Sequence, residues 1–138
     1  MIVDGNNLIL GRMASYAAKK ALLGDKINIV NCEHCVIIGR KKEILDRYHK
    51  RLQRGVHAKG PFLPRMPDRF VRRSIRGMLP HKTQKGRMAY KNIKCYIGVP
   101  EKFKNEKIET LKNIDVSKTS TVEYVKIKEV CRSLGGKL

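Results

Sequence analysis

Acidic residues are the scarcest resource in this chain: 12 Asp and Glu stand against 31 Lys and Arg, and there are no Trp and only three Phe. An active site built on paired carboxylates, or on a divalent metal held by them, needs acids that converge. In the stretch 40–94 the carboxylates are Glu43, Asp46 and Asp68, and Asp4 and Glu33 near strand ends are the other candidates. Glu43 is spaced to pair with Arg47, and Asp68 with Arg72, which are structural uses. The lack of bulky aromatics argues against a helix lying on a membrane surface. No apolar run approaches the ~20 residues needed to span a bilayer. With an early Asp4 and no basic segment ahead of a long apolar one, the N-terminus does not read as a signal peptide.

The usual spacings of catalysis and nucleotide binding are missing too. Gly5 to Gly11 is followed by Arg12 and Met13, which lacks both the spacing and the Lys-hydroxyl pair of a P-loop, and no G-x-G-x-x-G occurs. A tight turn into a helix needs glycine in any case. His34, His49, His57 and His81 are scattered, without metalloprotease or nucleophile-elbow spacing. Cys32 and Cys35 have the spacing of half a zinc site or of a redox pair, but Cys95 and Cys131 do not form the second close pair a structural zinc site needs. Their apolar flanks, INIV and VIIG, favour small thiols buried among strands. No cofactor, metal or small-molecule substrate is therefore expected.

What the sequence has instead is positive charge in one place. The formal net charge is +19 and the pI about 10.2. Residues 1–39 hold 4 basic and 3 acidic side chains, residues 40–94 hold 18 and 3, and residues 95–138 hold 9 and 6. Hydrophobic residues make up 41% of the 138, enough for the core of one domain, 1–138. A basic middle stretch between nearly balanced ends is the footprint of a polyanion-binding surface on an ordinary domain.

The periodicities place this stretch on a scaffold. MIVDGNNLIL gives a short strand and turn. Met13, Ala14, Ala17, Ala18, Ala21 and Leu22 recur as one small-residue helix face, stopped at Gly24. KINIV and CVIIG read as strands, so the chain begins with a βαβ unit. A second helix is expected over about Arg40–Leu52, with Ile44, Leu45, Tyr48 and Leu52 inward. A Gly/Pro-rich loop follows, carrying Arg54, His57, Lys59 and Arg65. Pro67 and Pro80 bracket a third helix, with Phe70, Val71, Ile75, Met78 and Leu79 on one face. A basic turn and short helix follow, with Met88, Ala89 and Ile93 inward, and KCYIGV is the last clear strand. Residues 100–116 give no firm pattern. Ser120 and Glu123 have capping-box spacing for a terminal helix through Leu134, whose inward face is Ile127, Val130, Cys131 and Leu134. The alternation of Val125 to Lys128 also has a strand-like period, but the helix is the preferred reading.

On the third helix Arg69, Arg72, Arg73 and Arg76 recur at i, i+3, i+4 and i+7, with almost no acids near them in sequence. A charge run usually marks a solvated face. Here the guanidinium fork matches phosphate oxygens and the regional excess has no anionic counterpart, so phosphate contact is the preferred reading. The candidate RNA-binding set read from charge is Arg40, Lys41, Lys42, Arg47, Lys50, Arg51, Arg54, Lys59, Arg65, Arg69, Arg72, Arg73, Arg76, Lys82, Lys85 and Arg87.

The runs VDGNNLILGRMAS, INIVNCEHCVIIGRKKE and RRSIRGMLPHKTQKGRMAYKNIKCYIGVP, in this order, resemble the universal large-subunit ribosomal protein thirteen family. The likeness covers about residues 1–100, and RGMLPHKT is similar to the archaeal and eukaryotic branch. The resemblance implies a three-layer α/β/α fold around a four-stranded, mostly parallel sheet. It also implies a cytoplasmic role in the large ribosomal subunit, with large-subunit ribosomal RNA and neighbouring ribosomal proteins as partners. The positions it carries over are Gly11 and Arg12, then Gly39, Arg40 and Lys41, then Arg76 to Thr83 with Gly86, so that the resemblance adds Arg12, His81 and Thr83 to the candidate RNA-binding set. Cys32 and Cys35 lie outside the family's pattern, and the long C-terminal extension of eukaryotic members has no counterpart here. The rival readings are an RNA-processing enzyme, which needs convergent carboxylates, and a DNA-compacting protein, which would bind long duplexes of any sequence rather than prefer one folded RNA.

Overall fold

The computed structural model describes residues 1–56, 58–120 and 123–137. The chain opens with β1 (Ile2–Asp4), α1 (Leu10–Leu22), β2 (Ile27–Val30) and β3 (Val36–Ile38), followed by α2 (Lys41–Leu52) and α3 (Pro67–Gly77). Then come α4 (Gln84–Lys91), β4 (Ile93–Cys95), β5 (Ile108–Glu109), β6 (Tyr124–Lys126) and α5 (Ile127–Ser133). The main sheet has the order β4-β2-β1-β5 and is parallel throughout, with Val3 opposite Ile29 and Glu109, and Ile27 opposite Ile93. Its central residues Val3, Ile27 and Ile29 are buried, as they must be in a parallel sheet covered on both faces. The α/β class and the four-stranded sheet are those the resemblance implies.

Helix α1 explains its own composition. Met13, Ala14, Ala17, Ala18 and Ala21 are all buried, and α1 packs against α3, α4 and the sheet. Short side chains let these elements approach closely. Gly24, at φ 106°, donates its N–H to Ala21 O and stops the helix in the left-handed region. The turn before α1 also needs glycine: a Cβ on Gly5 would sit 2.8 Å from Val30 O and 2.9 Å from Cys35 Sγ. That position is fixed by packing. Cys32 and Cys35 are fully buried, Cys35 with its thiol 3.8 Å from Met13 Sδ, so the core reading of their surroundings holds.

Five expectations need correction. Strand β3 is not in the parallel sheet; it pairs antiparallel with β6, Val36 opposite Lys126, because the chain turns away after Cys35. Strand β6 occupies part of the segment assigned to the terminal helix, so α5 starts at Ile127 with Lys126 as an N-cap that makes no side-chain bond. The capping box is not formed: Glu123 instead approaches Arg40 at 3.7 Å and its carbonyl accepts from Gly39 N, while residues 121 and 122 lie outside the described residues. Met78 and Met88 are exposed, 45% and 57%, because α3 turns out of its helical path at Gly77 and α4 buries Ala89 instead. The two expected ion pairs are replaced, Glu43 facing Arg40 at 3.6 Å and Arg72 turning to Tyr90, 4.5 Å from its ring centroid. The inward face of α5, Ile127, Val130, Cys131 and Leu134, is buried as the spacing predicts.

Candidate nucleic-acid interface

The basic stretch folds into α2, a long loop, α3 and α4, and most of its cations end up in water. On α2 and at its N-cap, Arg40, Lys41, Lys42, Arg47, Lys50 and Arg51 are exposed, as are Arg54, Lys59 and Arg65 on the loop. His57 lies outside the described residues. On α3, Arg69 and Arg73 are exposed while Arg72 and Arg76 are half-buried. Lys82, Thr83, Lys85 and Arg87 are exposed around the start of α4, His81 is half-buried, and Arg12 is exposed in the first turn of α1.

An aromatic contact joins the first two groups. Tyr48 of α2 packs on Phe70 of α3 with ring centroids 5.0 Å apart, and the Arg51 guanidinium lies 5.4 Å from the Tyr48 ring. Burial pushes the Tyr48 hydroxyl above its usual range, while Arg51 and Arg47 pull it back. The end of α2 and the start of α3 therefore present Arg47, Arg51, Arg69 and their neighbours over one shared aromatic seam. Helix α2 is held from behind by α5: Lys41 pairs with Glu129, and His49 Nε2 lies 2.7 Å from Ser133 Oγ. The Arg65 segment is pressed onto the C-terminus, where a Cβ on Gly136 would lie 2.4 Å from Arg65 O.

The RGMLPHKTQKG segment has mostly architectural uses. Thr83 Oγ1 accepts from Gly86 N at 3.2 Å and donates to Pro80 O at 2.8 Å, capping α4. Gly86 is buried so tightly that a Cβ would fall 2.0 Å from Pro80 O. Arg87 donates to Lys82 O at 3.1 Å. Arg72 covers the Tyr90 ring and reaches Tyr90 O at 3.5 Å. Thr83, a candidate from the resemblance, caps α4, and Arg72, a candidate from helical spacing, ties α3 to α4. Lys91 and Lys94, outside the candidate set, are also exposed, and Lys91 falls one helical turn after Arg87, with which it lines a shallow surface depression beside Met88. The i, i+4 spacing was the available signal.

The ligand crevice of doubly wound folds lies at the carboxyl ends of the strands, where neighbouring connections diverge. Here the segments leaving β1 and β5 are laced together across that end: Ile9 N donates to Ile114 O and Val116 N to Asn7 O. The buried carboxylate nearby, Glu33, is spent on Gly98 N at 3.1 and 3.2 Å. No group of three or more His, Cys, Asp or Glu able to hold a metal occurs among the described residues.

The described residues form an α/β domain whose β1 and β5 exits are hydrogen-bonded to each other and whose exposed cations are concentrated on α2, the loop after it, α3 and α4. Comparison with known proteins gives the family. The family model described as Ribosomal protein L13 matches residues 1–102, and the chain belongs to that family. It is 41% identical to the large ribosomal subunit protein uL13 of Archaeoglobus fulgidus, over 97% of this chain and 86% of the relative. It is 42% identical to the protein of the same name from Methanosarcina barkeri, over 99% of this chain and 98% of the relative. The Methanopyrus kandleri protein of that name is 40% identical over 97% of the chain.

Proposed function

We propose that this chain is a structural, non-enzymatic protein of the large ribosomal subunit, working in the cytoplasm and holding ribosomal RNA by its basic surface, α2 to α4. Family membership supports the place in the subunit. The observation that carries the RNA interface is the absence of internal neutralisation. Of the 18 Lys and Arg in 40–94, Arg40 and Lys41 are those with a carboxylate within 4 Å among the described residues. The rest sit on a fold that already repels itself, and RNA phosphates supply the missing charge. Arg47, Lys50, Arg51, Arg54, Lys59, Arg65, Arg69 and Arg73 are the main phosphate ligands in this reading. Arg76, His81, Lys82, Lys85 and Arg87, with Lys91, extend the surface along α4. Arg40 and Lys41 are shared with Glu43, Glu123 and Glu129. The α/β core keeps all of them in fixed register, which is what a folded RNA with a defined backbone path requires.

The direct test is sedimentation of tagged protein through a sucrose gradient of cell extract. It should travel with the large subunit and remain bound there through a moderate-salt wash. Recovery only at the top of the gradient would refute the assignment.

A further inference from the structure

The loop between α2 and α3 carries a feature that phosphate binding does not use. Phe62 is 73% exposed and Val56 67%, a costly display of apolar surface in water for a chain with three phenylalanines. The loop is closed on itself rather than loose. Val56 N donates to Gly60 O at 3.3 Å, and Gly60 N to Val56 O at 2.8 Å. Gly55 and Gly60 both take φ of 86°, and a Cβ on Gly55 would strike Gly60 O at 1.9 Å. One edge of the Phe62 ring lies beside Gly60, where a Cβ would come within 3.2 Å of its Cδ2 and Cε2. Phe62 lines a cleft of about 580 Å³ together with Leu52, Arg54, Val56, Pro61, Leu63 and Arg65. No carboxylate occurs between Asp46 and Asp68, whereas Arg47, Lys50, Arg51, Arg54, Lys59 and Arg65 do.

From this juxtaposition we infer that the loop captures an unpaired nucleobase, which stacks on Phe62 while Arg54 and Arg65 hold the flanking phosphates. The inference rests on the reading of the chain as an RNA-binding protein and adds to it a subsite for a base that has left its helix. An exposed aromatic ring in a cationic frame suits a planar, apolar-faced, anionic-backboned ligand: base stacking supplies the apolar contact and the arginines the charge. A protein partner docking on the same cleft would have to bring its own acids, since the loop offers none.

The experiment compares the full-length parent with Phe62→Ala, Phe62→Leu and Phe62→Tyr. Each is titrated at low salt with a single-stranded oligoadenylate and with a fully paired RNA duplex of the same length. The parent should prefer the single strand. Phe62→Ala and Phe62→Leu should lose about tenfold or more of single-strand affinity, keep their duplex affinity and salt slope, and melt like the parent because the ring is exposed. Phe62→Tyr should retain the preference. A parent that binds both RNAs alike, in a salt-dependent way, would overturn the base subsite and leave the phosphate surface standing. So would a Phe62→Ala variant that keeps its preference; if that variant failed to enter the large subunit, the cleft would belong to a protein neighbour. A parent that binds neither RNA would overturn both readings.

Discussion

The Arg72 guanidinium lies 4.5 Å from the centroid of the Tyr90 ring and reaches the Tyr90 carbonyl at 3.5 Å. This single contact divides an otherwise uniform row of arginines. Arg69 and Arg73 extend into water, and Arg72 ties α3 to α4. Replacing Arg72 by Gln should therefore lower stability by about 1 kcal/mol, within the range for a partly desolvated cation over an aromatic face. A melting curve of Arg72→Gln measures it. A variant as stable as the parent would mean the contact is not energetically used.

The exposed arginines should behave in the opposite way. A combined Arg47→Gln, Arg69→Gln and Arg73→Gln variant should melt at the parent's temperature or slightly higher, since self-repulsion falls. Its affinity for large-subunit ribosomal RNA should drop, and its salt dependence should flatten by up to about one unit for each phosphate no longer engaged. For the parent, with roughly 6–10 phosphates bound, affinity should fall by orders of magnitude between low and moderate salt. A parent affinity flat in salt would contradict the phosphate surface. Unfolding of the triple variant would mean that these side chains belong to the core.

Two glycines carried over from the family should separate cleanly. A Cβ on Gly86 would collide with Pro80 O, whereas nothing lies within 4 Å of one on Gly11. Gly86→Ala should cost about 1–3 kcal/mol through forced backbone movement. Gly11→Ala, in the first turn of α1, should be neutral or stabilising by about 0.5–1 kcal/mol. Paired denaturant titrations decide this, and equal effects would refute the close approach at Gly86.

Phe70 is buried at the seam where α2 meets α3, so Phe70→Ala should cost about 3–5 kcal/mol and loosen the end of α2 with it. Hydrogen exchange of the α2 amides should rise in that variant. Stability within about 1 kcal/mol of the parent, an order-of-magnitude threshold for a surface site, would place Phe70 outside the core.

The buried thiols predict a weakness at high pH. Burial, with the Asp68 carboxylate adding to it, raises Cys131 from its ordinary 9.0 to about 12. Burial also raises Cys35 well above 9.0. The folded protein thus holds these protons more tightly than the unfolded chain does. Their contribution is intact below pH 9 and is lost as pH rises from there towards about 12. Melting temperature should fall across that window, and Cys131→Ser should flatten the fall while lowering stability at neutral pH. A melting temperature that stays constant from about pH 8 to about pH 11, spanning the ordinary thiol range, would refute this.

Local pattern alone determined the βαβ opening, the face of α1, the inward Phe70, Val71 and Ile75 of α3, the burial of Cys32 and Cys35, and the concentration of charge in 40–94. Each of these rests on side-chain periodicity or on counting, which a chain carries before it folds. The partners of the short strands were not legible. Residues 108–109 and 124–126 are too brief to show a period, and their pairing with β1 and β3 is set by contacts across about a hundred residues of sequence. The same holds within the basic surface. Helical spacing showed that Arg69, Arg72, Arg73 and Arg76 share one broad face, but not that Tyr90 of α4 would cover one of them. Nothing in the local pattern sets Phe62 apart from other loop residues; the structure leaves it exposed beside Gly60. Charge is a property of composition, whereas availability to RNA depends on which side chains the packing of distant segments leaves exposed.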